Sequence, residues 1–68
     1  MKRFYCPIFG MVSLNQIYAW IKALVALLGY SHVTYDPIFD MVEEGESVDV
    51  EWFDRGGNRK LLSFVRVA

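Results

Sequence analysis

The residues able to do chemistry are few and far apart in this chain. It holds one cysteine, Cys6, and one histidine, His32. A nucleophilic thiolate needs a base beside it and a third group to orient that base. Nothing in the spacing brings Cys6 and His32 together, and a lone cysteine usually behaves as a small buried hydrophobe. One Cys and one His also fall short of the four ligands of a structural zinc site. A single cysteine allows no internal disulfide. The carboxylates Glu43, Glu44, Glu46 and Asp49 lie close in sequence, but the alternating Asp/Asn pattern of a calcium loop is absent. They read as a solvated acidic turn. No catalytic residue, metal site or cofactor is expected, and the chain reads as a binding protein, not an enzyme.

One segment invites a phosphate reading. In 54–60, Gly56 and Gly57 expose backbone N–H groups beside Arg55, Arg59 and Lys60. A basic hairpin of this kind can enter a nucleic-acid groove. Against it stand the missing phosphate-loop pattern, the carboxylate of Asp54 within the segment, and an acidic strand next to it. The overall charge of −1 is also unlike the basic balance of nucleic-acid binders. Direct nucleic-acid binding through Arg55, Arg59 and Lys60 is therefore one alternative reading, and a self-associating structural protein is the other.

The charge is segregated. All eight acidic residues lie between Asp36 and Asp54, with no Lys or Arg inside that stretch. Such a face suits a basic partner, or an imitation of a nucleic-acid backbone offered to a nucleic-acid-binding protein. The plainer alternative is a solvated acidic surface. With 54% hydrophobic and 16% aromatic residues, the chain is too apolar for a disordered tail. At 68 residues it is expected to form one domain, spanning 1–68, with a small core. The longest apolar run, Ile17 to Tyr30, has 14 residues and carries Lys22, whereas a spanning helix needs roughly 20 apolar residues. A soluble, cytoplasmic protein without a membrane anchor is expected.

The elements that would position these residues follow from the pattern. Arg3 to Phe9 reads as an aromatic strand. Pro7 cannot donate to a ladder, which places that strand at an edge or interrupts it. Ser13 and Gln16 have the spacing of a capping box. Leu14, Ile17, Tyr18, Ile21, Leu24, Val25 and Leu28 then form one helical stripe, ended at Gly29. Val33 to Tyr35 favours extended structure. Asp36-Pro37 suits the start of a short helix over 37–44, with a third strand as the competing reading. Val48, Val50 and Trp52 alternate with Asp49, Glu51 and Phe53, and Gly56-Gly57 suits a two-residue type I′ turn.

The fold class is thus α+β: one amphipathic helix on a small, mainly antiparallel sheet, in the order β-α-β-(short α)-β-β, with a C-terminal β-hairpin. The two-glycine turn sets Asp54 opposite Arg59, Trp52 opposite Leu61 and Val48 opposite Val65. Val48, Val50, Trp52, Leu61 and Val65 then face the helix. Asp49, Glu51, Phe53, Lys60, Leu62, Phe64 and Arg66 face outward. A looser Gly56-Gly57-Asn58 loop would move this register by one residue and spoil the Asp54–Arg59 pairing.

These patterns favour a small protein-interaction module, an inhibitor or adaptor that also self-associates. Its contact surface would be the outer hairpin face, with Phe53, Leu62 and Phe64 as apolar anchors. Asp49 and Glu51, helped by Glu43, Glu44 and Glu46, would select a basic partner.

Overall fold

The computed structural model describes residues 2–35, 39 and 41–68. It shows an α+β fold, with one helix packed on a five-stranded antiparallel sheet. The strands are β1 (Arg3–Cys6), β2 (Gly10–Ser13), β3 (Val33–Tyr35), β4 (Ser47–Phe53) and β5 (Arg59–Arg66), arranged β2-β1-β5-β4-β3. The helix α1 covers Leu14–Leu28. A 3-10 turn, Tyr30–His32, leads into β3.

The helix starts where the capping box requires. The Gln16 N–H donates to the Ser13 hydroxyl at 3.3 Å, and the Ser13 N–H donates to Oε1 of Gln16 at 2.7 Å. Two N–H groups that the helical ladder leaves without partners are satisfied reciprocally. Ile17 and Ile21 of the apolar stripe are buried, with Leu14, Tyr18, Leu24, Val25 and Leu28 packed around them. Gly29 ends the helix at φ 93°, ψ 154°, its N–H bonded to the Val25 carbonyl. That backbone conformation is essentially restricted to glycine, although it is not the left-handed helical one.

The N-terminal segment departs from the sequence reading. It is a hairpin: Pro7, Ile8 and Phe9 form the turn, and Gly10–Ser13 returns as β2. The Cys6 thiol accepts the Phe9 N–H at 3.3 Å and ties the turn. Pro7 therefore interrupts the strand but does not put it at an edge. β1 is interior, between β2 and β5.

The C-terminal hairpin is present, in a different register from the expected one. Phe53 pairs with Arg59, Trp52 with Lys60, Val50 with Leu62 and Val48 with Phe64. Asp54 is the cause. Its N–H bonds the Asn58 carbonyl, and its own carbonyl accepts the Gly57 N–H. Its carboxylate accepts the N–H groups of Gly56 and Asn58, both at 2.9 Å. A side chain that captures nearby backbone donors builds its own turn. The loop becomes the three residues Arg55, Gly56 and Gly57, of which only Gly57 has positive φ. A one-residue slip sends every side chain to the opposite face. Leu62 and Phe64, expected outside, are 5% and 1% exposed in the core, while Leu61 points outward at 53%.

The core lies between one sheet face and its cover. Phe4, Cys6, Val33, Val48, Val50, Leu62 and Phe64 come from the sheet, and Ile17 and Ile21 from α1. Phe39 and Val42, between β3 and β4, complete the cover. Phe39 packs edge-on against Phe4, Tyr18 and Phe64. Arg66 holds this segment down by donating from Nη1 to the Val42 carbonyl at 2.7 Å. The short helix expected over 37–44 falls partly on residues 37, 38 and 40, outside the described residues. Met41 to Glu44 are non-helical.

Candidate functional site

The sheet has two faces and α1 covers one. Alternation along each strand sends the remaining side chains to the other face, where the cross-strand pairs make rows. Met11, Tyr5, Val65 and Ser47 form one row across β2, β1, β5 and β4. Leu61, Glu51 and Thr34 form another across β5, β4 and β3. Phe53 and Arg59 lie beyond it, and Asp49 and Ser63 lie between the two rows. Tyr5, Met11, Phe53 and Leu61 are 41–53% exposed. This open face is the candidate site. It has an apolar zone at each end and a polar band between them.

The charges in the band satisfy one another. Arg59 donates from Nε and Nη2 to Oε2 of Glu51, at 2.7 and 2.6 Å. The Ser63 hydroxyl donates to Asp49 at 2.6 Å. The Asp54–Arg59 pair expected from the two-residue turn is replaced by this Glu51–Arg59 pair, which lies diagonally across two strands and is within side-chain reach.

Of the proposed contact residues, Asp49, Glu51 and Phe53 share the open face, whereas Leu62 and Phe64 are core and cannot touch a partner. Glu43, Glu44 and Glu46 are exposed on the approach to β4. The Glu46 carboxylate accepts the Glu43 N–H, and the Gly45 N–H bonds the Arg66 carbonyl. The face also gains Tyr5, Met11, Leu61 and Val65, which sequence reasoning placed elsewhere or left unassigned. Alternation did not reveal Leu61 and Val65 because β5 has apolar residues at both parities: Leu61 and Val65, Leu62 and Phe64.

The basic hairpin tip is less free than its sequence suggests. Arg59 is engaged by Glu51. The carboxyl of Asp54 is held below its usual range, first by the Asn58 backbone N–H, then by the Asn58 side chain and Gly56 N–H, with Lys60 adding a favourable charge. Desolvation opposes these effects. Arg55 and Lys60 remain exposed.

Cys6 and His32 do not meet. Cys6 is sealed in the core under β1. His32 is exposed beside β3, three strand spacings away, a lateral offset of about 14 Å at the usual interstrand distance, and it is also displaced along the strands. Its Nδ1 lies 3.2 Å from the Ser31 hydroxyl. A groove of about 370 Å³ near the end of α1 is lined by Leu28, His32, Phe53, Asp54 and Arg55, among others. The Asp54 carboxylate there is already committed to its own loop. Among the described residues, no group of three or more His, Cys, Asp or Glu is placed to hold a metal ion, and no helix is long and apolar enough to cross a membrane.

No protein-family model matches the chain, and the searches of curated proteins and of solved structures found no match.

Proposed function

We propose that this protein is a small interaction module that binds another protein through the open face of its sheet. One observation carries the reading: Tyr5, Met11, Phe53 and Leu61 stand 41–53% exposed on a single uncovered sheet face. Exposed apolar zones rimmed by polar residues mark interaction sites. The acidic residues Asp49 and Glu51 lie within it and would favour a partner that brings basic groups to the polar band. Such charges chiefly set orientation and association rate. An inhibitor or adaptor fits this design, since either would act through an exposed surface of this kind. A second copy could also cover the apolar zones, so self-association belongs to the same reading.

The test is a pull-down from nuclease-treated host lysate with the wild type and with a Phe53→Asp/Leu61→Asp variant, run beside sedimentation velocity. Both side chains are exposed, so the variant should keep its circular dichroism and melting temperature. Loss of a stoichiometric partner, or of self-association, by the variant alone supports the reading. A partner retained at wild-type yield would place the interface elsewhere.

A further inference from the structure

The strand β2 ends the sheet on one side, and its backbone shows which groups are unused. The Arg3 N–H bonds the Ala68 carbonyl, and the Val67 N–H bonds the Arg3 carbonyl. Both polar groups of Arg3 therefore point away from β2. In an antiparallel pair such directions alternate residue by residue, so those of Tyr5 also point toward β5. Phe4 and Cys6 then exchange bonds with their β2 partners, Val12 and Gly10. It follows that the N–H and C=O of Met11 project from the free edge. The Ser13 N–H, which points the same way, is taken by Gln16.

A groove of about 320 Å³ lies along this edge, lined by Phe9, Met11, Val12, Gln16 and Trp20. Met11 and Val12 point to opposite faces, so a space touching both must lie along the rim of the strand. Gln16 and Trp20 form its helical wall, and Phe9 packs edge-on against Trp20 at 5.5 Å. The edge is only four residues long, but it carries no Pro or charged residue, two of the devices that keep strands from pairing. Arg3 pairs with Ser13, so Arg3 and the adjoining Lys2 bring positive charge to the Ser13 end of β2, whereas Asp49 and Glu51 lie on β4.

We propose that the free edge of β2 and the groove beside it bind an extended peptide strand with an apolar side chain turned into the groove and acidic residues at the end that meets Lys2 and Arg3. Main-chain bonds to Met11 supply attachment, and the groove supplies side-chain selection, as in other strand-addition sites. This surface borders the open face at Met11, whose side chain the two share, but its main-chain contacts lie on the edge of the sheet.

The test uses the full ¹⁵N-labelled chain and a capped peptide, Glu-Glu-Val-Ile-Val-Glu-Glu. Its isoleucine is to enter the groove while its valines pair with Met11. Saturable shifts at Gly10, Met11, Val12 and the Trp20 indole are expected, with at least tenfold slower exchange of the Met11 N–H. Flanking lysines in place of the glutamates should weaken binding at least threefold at low salt. N-methylation of both valines should abolish binding, whereas N-methylation of the isoleucine, whose N–H faces away, should not. These peptide variants leave the protein untouched. Absence of saturable shifts, indifference to valine N-methylation, or shifts centred on Phe53 and Leu61 would overturn the proposal. So would pairing of β2 with a second copy in peptide-free protein, seen as concentration-dependent shifts at Met11.

Discussion

Along β1 and β5, adjacent residues live in different surroundings. Phe4 and Phe64 are sealed under α1 and Phe39, while their neighbours Tyr5 and Val65 face the open side. Leu61 and Leu62 are chemically identical, yet one is 53% exposed and the other 5%. Hydrophobicity alone therefore does not decide burial in this small domain. What decides it is which parity of the strand receives the helix. One face spends its apolar side chains on stability and the other leaves them available for contact.

The contrast is broken most severely by Phe64→Ala. Truncating a buried Phe costs about 3–5 kcal/mol, against a total of roughly 3–10 kcal/mol for a domain of this length. Urea denaturation should show a largely destabilised chain. Leu61→Ala on the same strand should change stability by no more than about 0.5 kcal/mol, as exposed sites do. Equal losses at the two positions would mean that the register is wrong.

The helical cover can be loosened without touching either face. Ser13→Ala removes the hydroxyl that caps α1 and should cost about 1 kcal/mol, read as a lower midpoint in thermal unfolding. The open face can be sharpened instead. Arg59→Ala breaks the exposed pair with Glu51 and should cost less than about 1 kcal/mol. Since salt screens such pairs, the difference from wild type should shrink as sodium chloride is raised. The same variant frees the Glu51 carboxylate, so it should also strengthen binding of any basic partner on that face, measurable by calorimetry.

The smallest effect concerns the loop that sets the register. The folded state holds the Asp54 carboxyl below its ordinary value. Its stabilisation is therefore present above the unfolded-state value and is lost as pH falls through the lower folded one. Acid titration of Asp54→Asn should lack this part of the acid limb. A titration identical to that of the wild type would show that the loop bonds do not depend on the charge.

Much of the fold was legible locally. The capping box at Ser13 and Gln16, the stripe from Leu14 to Leu28 and the strands around Val33 and Val48–Phe53 follow from short-range spacing and side-chain type. The N-terminal hairpin was not legible, because Gly10 reads as a break and the turn depends on the Cys6 thiol meeting the Phe9 N–H. The candidate site was legible only in part: Asp49, Glu51 and Phe53 share the open face, but Leu62 and Phe64 do not.

The sequence by itself determined that a capped amphipathic helix and a C-terminal hairpin would form, because their signals lie within a few residues of one another. The tertiary structure decided which face of the hairpin is core. In β5 both parities are apolar, so alternation carries no sign there. The sign came from the Asp54 loop and from the distant side chains of Trp20 and Phe39, which close over Phe64 and leave Leu61 in the open.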